Sequence, residues 1–288
     1  MKLTHHLTRR ISQTFFVFFL NPYYFKSMSV CVPVMNCWGC PLAAYACPIG
    51  IIGPFLAKGI IPFIAIGSIL VVGVLVGRLL CGWVCPFGLF QELLYKIPSI
   101  KKRLPPSLLR VKYKILIFTV LITALLFGTV RTSNVFDPAN YYFCNWCPAG
   151  TLEVTLPFFN YRLAEIMNNS FYDSELMGAG VFDASLIFTA LGLLLLFKLF
   201  VLYYIIRSSV FYKRPFCRVV CPIGASFAWL NRISLFRVTV EKDKCDACEL
   251  CQQVCPMDRK IYQETADNEC LRCLECRAAC EKRAILAR

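Results

Sequence analysis

The cysteines of this chain are the residues whose number and spacing point most directly to chemistry. Eighteen of the 288 residues are cysteine, and the C-terminal part contains two runs with one C-x2-C-x2-C-x3-C spacing. The runs are Cys245, Cys248, Cys251, Cys255 and Cys270, Cys273, Cys276, Cys280. This spacing is typical of ligands to [4Fe–4S] clusters. A disulfide or zinc knot requires no such paired runs, so the pattern predicts iron–sulfur chemistry and the movement of electrons.

The paired runs also predict which cysteines share a cluster. In two-cluster ferredoxins, three cysteines of one run and the last cysteine of the other hold each cluster. The set for cluster A, which we call the A set, is Cys245, Cys248, Cys251 and Cys280. The set for cluster B, the B set, is Cys270, Cys273, Cys276 and Cys255. Pro256 follows the first run as the motif expects, whereas Glu281 replaces the second proline. We therefore expect an α+β two-cluster ferredoxin domain over residues 237–288.

Two further cysteine pairs, each followed by proline, share a C-x3-C-P pattern. Together they form what we call the inner group: Cys81, Cys85, Cys217 and Cys221. A spacing of four residues places two thiolates on one face of a helical turn, and the proline then ends or kinks the helix. The two pairs predict a third [4Fe–4S] cluster. Small buried core cysteines and a zinc site are the alternatives.

The composition predicts a membrane protein with a small soluble appendage. Apolar residues make up 58% of the chain and charged residues 17%, which is more apolar than a typical soluble domain. About 20 apolar residues can span a bilayer, and four such stretches lie at about 11–30, 59–80, 113–132 and 184–206. The predicted fold class is an all-α membrane domain of four transmembrane helices, two tandem repeats, over residues 1–236, followed by the ferredoxin domain.

The distribution of positive charge predicts an orientation. Lys and Arg residues are concentrated between the second and third stretches and after the fourth. The positive-inside rule then predicts a multi-pass protein of the cytoplasmic (inner) membrane with both termini in the cytoplasm. The net charge is +14, but it flanks apolar stretches and lines no groove, so nucleic acid is not an expected partner.

The remaining cysteines form what we call the outer group, which this orientation places on the opposite face. Its members are Cys31, Cys37, Cys40, Cys47, Cys144 and Cys147. Cys37/Cys40 and Cys144/Cys147 both read C-x2-C-P, and Cys47 carries the C-P-x-G core that recurs at Cys85, Cys147 and Cys221. Cys37, Cys40, Cys47, Cys144 and Cys147 are the candidates for a fourth cluster. Disulfides are the alternative, because that face is oxidising in a bacterium.

Other residue types narrow the chemistry further. The two histidines are His5 and His6, so the predicted membrane domain has no pair of histidines to hold a b-type haem. No C-x2-C-H, G-x-G-x-x-G, P-loop or H-E-x-x-H motif occurs. Lys198 lies in the fourth apolar stretch, either as a counter-charge to a cluster or quinone or with its amine reaching the surface. Gln91 and Glu92 either lie near the inner group or begin a solvated helix.

The segment over residues 77–92, GRLLCGWVCPFGLFQE, resembles the NapH/NosR-type membrane polyferredoxins, the 4Fe–4S-binding subunits of quinol dehydrogenase systems. The paired C-x3-C-P motifs and the double ferredoxin extend the resemblance over nearly the whole chain. The resemblance implies a subunit that exchanges electrons between the quinone pool and a redox partner. It also implies that the inner group belongs to membrane-face motifs and that the A and B sets bind clusters. The outer group exceeds the family pattern and suggests a relative that serves another complex.

These observations predict an integral-membrane iron–sulfur electron-transfer subunit of an oxidoreductase complex. It would pass electrons between the quinone pool, or an outer-face partner, and a cytoplasmic redox partner. The expected cofactors are two [4Fe–4S] clusters in the ferredoxin domain, a third and a fourth in the membrane domain, and quinone as a further candidate. Other subunits of a membrane redox complex, a soluble redox protein and the quinone pool are the expected partners. The alternatives are a transmembrane thiol–disulfide carrier and a cluster-based redox sensor or maturation factor.

Overall fold

The computed structural model describes residues 2–21, 31–37, 47–57, 59–123, 125, 142–156, 184–263 and 268–287. Most of these residues are helical. The α-helices are α1 (Lys2–Leu20), α2 (Pro48–Ala57), α3 (Phe63–Leu75), α4 (Leu79–Trp83), α5 (Pro86–Tyr95), α6 (Val111–Ile115), α7 (Phe143–Trp146), α8 (Pro148–Gly150), α9 (Ala184–Phe211), α10 (Pro215–Val219), α11 (Pro222–Leu230), α12 (Leu250–Val254) and α13 (Glu275–Ala279). Short 3₁₀-helices cover Pro106–Arg110 and Lys242–Lys244, and π-helical turns cover Leu116–Ile122 and Thr151–Thr155.

Four of these helices begin directly after a cysteine. Their first residue is the proline of the C-P-x-G core, and the cysteines that precede α2, α5, α8 and α11 are Cys47, Cys85, Cys147 and Cys221. Proline suits the first helical position, because the amide hydrogen it lacks would have no partner inside the helix. Cys85, Cys147 and Cys221 are extended, with ψ of 115°, 121° and 115°. The motif therefore starts a helix and holds a cysteine at its N-terminus.

The helix pair α4–α5 has the same construction as the pair α10–α11. In each pair a five-residue helix carries the first cysteine, the chain turns, and the second cysteine precedes a longer helix. The two pairs pack against each other through Phe87 and Phe216, whose rings meet edge to face with centroids 4.9 Å apart. The tandem repeat is thus visible as two helix pairs that share one core.

The C-terminal segment forms a small second core around a two-stranded sheet. Strands β1 (Val238–Val240) and β2 (Ile285–Ala287) are antiparallel, with Val238 opposite Ala287. Between the strands lie both C-terminal cysteine runs and helices α12 and α13. The sheet therefore brings the two ends of this segment together, while the domain boundary at residue 237 stays a prediction.

The prediction of four transmembrane helices is wrong. Of the helices formed by the described residues, none is both long and apolar enough to cross a bilayer. The second predicted span is divided: α3 ends at Leu75, Gly77 has a φ of +58°, and α4 begins at Leu79. The third contains only a five-residue α-helix and a seven-residue π-helix before residue 123. The fourth lies within α9, which carries Lys198 and Arg207.

The predicted multi-pass location in the inner membrane, with cytoplasmic termini, is wrong for the same reason. The first predicted span overlaps α1, whose Arg9 is buried and ion-paired. Positions 22–30 of the first span and 126–132 of the third lie outside the described residues. In the second predicted span, the apolar composition overestimated the length of the helix, because it does not detect the break at Gly77.

Candidate metal centre

The structure brings the four cysteines of the inner group together between the two repeated helix pairs. All four side chains are buried, with exposures between 4% and 8%. Burial, followed by the nearby Cys217 and Cys81, raises the pKa of Cys85 to about 12. Burial and the same two cysteines also raise the pKa of Cys221. Four buried thiols in one place form a donor set that deprotonates when a metal binds.

Two buried arginines hold the inner group together from opposite sides. Arg78 Nη2 donates a hydrogen bond to the Cys217 carbonyl at 3.3 Å, and Arg214 Nη1 donates to the Cys81 carbonyl at 2.8 Å. Each arginine stands three residues before the first cysteine of its own repeat and contacts the first cysteine of the other. Their guanidinium groups, with 0% and 1% exposure, therefore place fixed positive charge beside the four sulfurs.

The glycine of the C-P-x-G core makes room for these arginines. A Cβ atom on Gly88 would lie 3.1 Å from Arg214 Nη1. One on Gly224 would lie 3.1 Å from the Cys217 carbonyl oxygen and 3.2 Å from Arg78 Nη2. The core motif and the arginine of the opposite repeat thus form one interlocked arrangement that occurs twice.

Two amide groups donate hydrogen bonds to inner-group sulfurs. Gln91 Nε2 lies 3.2 Å from Cys217 Sγ, and the Gly224 amide lies 3.3 Å from Cys221 Sγ. The Gln91 side chain is fixed by the Phe216 amide, which donates to its Oε1 at 3.1 Å. Hydrogen bonds to ligand sulfurs are one way in which a protein sets the reduction potential of an iron–sulfur cluster. Gln91 therefore lies at the inner group and not on a solvated helix surface.

The inner group directly adjoins the B set. Gly82 lies between the two cysteines of the first repeat, and a Cβ there would be 3.1 Å from the Leu271 carbonyl oxygen and 3.3 Å from Cys273 Cβ. The arginines reinforce this contact, because Arg78 forms an ion pair with Glu269 at 2.6 Å, next to Cys270. No side chain separates Gly82 from the Cys273 loop, so the two cysteine groups share a packed interface.

A chain of buried ion pairs makes a second connection between these groups. Arg214 pairs with Glu92 at 2.7 Å, Glu92 with Arg9 at 2.6 Å, and Arg9 with Glu275 at 2.9 Å. Burial alone would raise the pKa of Glu92, but Arg214 and Arg9 outweigh it and hold the pKa below its ordinary value. Glu92 therefore links helix α1 to the inner group.

Each C-terminal cysteine set lines a cavity of its own. The A set, Cys245, Cys248, Cys251 and Cys280, lines one cavity. The B set, Cys255, Cys270, Cys273 and Cys276, lines another. Among the described residues, these two sets included, no group of three or more His, Cys, Asp or Glu side chains lies close enough together to hold a single metal ion. A donor set of four sulfurs around a cavity fits a cluster, because each sulfur then binds a different iron.

The backbone around the two cavities repeats an unusual conformation. Six non-glycine residues here have positive φ. They occupy equivalent positions relative to the two runs and form the pairs Ala247 and Arg272, Glu249 and Leu274, and Asp258 and Arg283. Such conformations are costly and occur where the surroundings require them, often at ligand sites. The two loops therefore surround their cavities with the same backbone conformation, which fits the same kind of ligand in each cavity.

Four members of the outer group also come together. Burial, followed by Cys47 and Cys37, raises the pKa of Cys144. Burial and Cys144 raise that of Cys147, and Cys37 Sγ lies 3.3 Å from where a Cβ on Gly150 would be. No disulfide joins two of the described cysteines. Cys40 lies outside those residues, so its predicted role stays untested.

Two charged side chains accompany the outer group. Burial lowers the pKa of Lys198, whereas Cys37 and Cys147 act in the opposite direction. This proximity favours the counter-charge interpretation of Lys198. Glu153 Oε2 accepts a hydrogen bond from the Cys37 amide at 2.6 Å, and burial raises the pKa of Glu153 to about 7. Cys31 differs from the other four, because burial is the cause of its raised pKa and no cysteine contributes.

Sequence reasoning missed the buried arginines and their carboxylate partners in the C-terminal segment. The signal for Arg78 and Arg214 was present, because both repeats read R-x2-C-x3-C-P-x-G. Arg214 was instead grouped with the basic residues after the fourth apolar stretch, and Arg78 was given no role. Glu269, Glu275 and Arg9 gave no comparable signal, since their partners lie far away in sequence.

Comparisons with known proteins identify relatives of this chain. The family described as "4Fe-4S binding domain" matches residues 59–105 and 185–241, and each match contains one half of the inner group. Over 97% of its length the chain is 28% identical to the "Uncharacterized protein MJ0750" of Methanocaldococcus jannaschii, of which it covers 94%. It is 28% identical to the "Regulatory protein NosR" of Stutzerimonas stutzeri over 68% of this chain and 22% of that protein.

A third relative is the "Putative electron transport protein YccM" of Escherichia coli, 24% identical over 74% of this chain and 51% of that protein. The chain thus spans about half of YccM and less than a quarter of NosR. No solved structure matches the chain. The arrangement described above is therefore read from this structure alone.

Proposed function

Because the chain belongs to the NapH/NosR-type polyferredoxin family, we propose that it is an electron-transfer protein with [4Fe–4S] clusters at the A set, the B set and the inner group. Each cluster would supply one reversible one-electron change. The chain's part is to hold the sulfurs, exclude water and set the potential through Arg78, Arg214 and Gln91. The printed names of the relatives, which include an electron transport protein, support this role and a redox partner of some kind.

The observation that carries the proposal is the contact between Gly82 and the B set. A Cβ at position 82 would be crowded by the Leu271 carbonyl oxygen and by Cys273, so the residue between the two inner cysteines lies against a B-set loop. The B set is joined in turn to the A set, because each run contributes a cysteine to the other cavity. Three cysteine groups in an unbroken series are what a relay requires.

We propose the outer group as a fourth cluster site on the same reasoning, with Cys37, Cys47, Cys144 and Cys147 as ligands among the described residues. Lys198 would offset the negative charge of the bound thiolates. Quinone binding and the kind of redox partner stay predictions. Membership of an oxidoreductase complex is likewise a prediction.

The test measures iron in the full-length chain after reconstitution. We expect Cys280→Ser, Cys255→Ser and Cys217→Ser each to lose up to about four irons per chain, one cluster's content. Cys31→Ser is the matched control, since Cys31 is about as buried as Cys217 and Cys255 but has no cysteine neighbour that affects its pKa. Unchanged iron in Cys217→Ser would remove the inner group from the relay.

Electron paramagnetic resonance tests the adjacency separately. With the inner group against the B set, the fully reduced chain should show coupling between the spins of the two clusters. Cys217→Ser should abolish that coupling and leave the signal of the A set unchanged. Identical spectra from the two proteins would contradict the proposed series even if the iron content were correct.

A further inference from the structure

A cavity beside the B set contains more positive than negative charge. It has about 160 Å³ of space and lies between helix α1, helix α5, the turn before α10 and the loop that contains Pro256. Its lining includes five cations, Arg9, Arg10, Lys96, Lys213 and Arg214, but two carboxylates, Glu92 and Glu275. The charge of this lining therefore suits a small anion.

The two carboxylates are used by two of the five cations. Arg9 pairs with both Glu92 and Glu275, and Arg214 pairs with Glu92. Among the described residues, no direct ion pair joins a carboxylate to Arg10, Lys96 or Lys213, although Glu92 and Glu275 are close enough to act on the pKa of Arg10. Three of the five cations therefore line the cavity without a carboxylate in direct contact.

Arg10 carries the clearest sign of a missing ligand. Its Nε is buried and, within the described part of the chain, has no hydrogen-bond partner. A buried donor without an acceptor is destabilising, and an anion in the cavity would supply the missing acceptor. The neighbouring His6 reflects the same field, because burial and then Arg10 lower its pKa.

We propose that this cavity binds an oxyanion, the phosphate or carboxylate group of a small molecule, between Arg10, Lys96 and Lys213. Ammonium and guanidinium groups form their strongest hydrogen bonds with such anions. Tyr95 also lines the cavity, so an organic ligand would have an aromatic side chain beside its oxyanion. No cysteine lines this cavity.

The position gives the site a consequence for the proposed relay. Lys213 Nζ donates to the Cys255 carbonyl at 3.1 Å, so an anion held by Lys213 lies next to the B-set loop. Resting on the proposed function, we expect a bound anion to lower the reduction potential of that cluster, because it disfavours the more negative reduced state.

Isothermal titration calorimetry on the full-length chain at low ionic strength tests the site, with inorganic phosphate and phenyl phosphate as probes. We expect Arg10→Gln and Lys96→Gln each to weaken phosphate binding by about tenfold, the loss of one charge-assisted hydrogen bond. Lys102→Gln is the matched control, because Lys102 is exposed and outside the cavity.

The outcomes separate the sources of the anion. Tighter binding of phenyl phosphate than of phosphate supports an organic ligand, and equal binding supports the free ion. Absence of binding to the wild-type chain, or equal weakening by Lys102→Gln, would overturn the proposal. Iron is measured on the same samples, so a failure of this site is distinguishable from a failure of the proposed function.

Discussion

Replacing Arg78 by glutamine tests whether the crossed arginines hold the inner group together. Arg78 is fully buried, pairs with Glu269 at 2.6 Å and donates to the carbonyls of Glu269 and Cys217. Breaking a buried ion pair by removing one partner typically costs about 3–5 kcal/mol. Glu269 keeps Lys112 as a second buried partner, so it is not left unpaired. We therefore expect a loss near the lower limit, about 3 kcal/mol of unfolding free energy.

Urea denaturation followed by circular dichroism measures this loss, and Arg103→Gln is the matched control. The Arg103 side chain is 71% exposed and lies 3.9 Å from Asp258, so its removal should cost less than about 1 kcal/mol. Arg78→Lys should fall between the two, because one ammonium group cannot reproduce the forked contacts of a guanidinium.

A second measurement distinguishes an electrostatic role from a merely structural one. Arg78 places positive charge beside Cys81 and Cys217, as the raised pKa of Arg78 reflects: burial opposes it, but Glu269 and Cys81 outweigh burial. Arg78→Gln should therefore lower the reduction potential of the inner cluster, which Arg103→Gln should leave unchanged. A variant within about 1 kcal/mol of wild type, with the same potential, would refute the reasoning.

Two further predictions follow from the same arrangement. Gly224→Ala should destabilise the chain by about 1–3 kcal/mol in urea denaturation, because its Cβ would lie 3.1 Å from the Cys217 carbonyl oxygen. The control is Gly67→Ala in helix α3, where a Cβ would have no atom within 4 Å, and it should be neutral or stabilising by up to about 1 kcal/mol. Similar losses in the two variants would contradict crowding at Gly224. Glu92 has a lowered pKa, so its contribution to stability is present at neutral pH and is lost as the pH falls below the ordinary value through the lowered one. Glu92→Gln should be less stable than wild type at pH 7 but lose less stability on acidification, and parallel pH profiles of the two proteins would contradict this assignment.

The cysteine groups could be predicted from the sequence because metal ligation imposes a local spacing. The C-x3-C-P pairs predict two neighbouring sulfurs and a helix that ends or kinks at the proline. In the structure α4 and α10 end before the second cysteine, and α5 and α11 begin at the prolines. How the two pairs meet is not local. It depends on Arg78 and Arg214, and the sequence does not distinguish a buried arginine from an exposed one. Aligning the two repeats, with arginine three residues before the first cysteine in each, was the available signal.

The prediction of the second transmembrane helix failed for a different physical reason. Apolar composition measures the preference of side chains for a nonpolar environment, whereas the length of a helix depends on where the backbone can continue. Residues 59–80 are apolar, but Gly77 adopts a left-handed conformation and α3 ends before it. The break places Arg78 at the start of α4, directed at Glu269 and Cys217. The break at Gly77, which ends the predicted span, thus also positions Arg78 against the inner group.

The same contacts bear on how far the two predicted domains are independent. A boundary at residue 237 separates the chain in sequence, but Arg78 and Arg9 cross it to reach Glu269 and Glu275, beside the B-set cysteines. Removing the C-terminal segment would leave Arg9 without one of its two carboxylates and Arg78 without its carboxylate, and would uncover Gly82. Buried charges without partners are expensive, so the helical part is built to be complete when the cysteine-rich segment lies against it. Electron transfer benefits from that dependence, because the contact that stabilises the inner group is also the one that keeps it next to the B set.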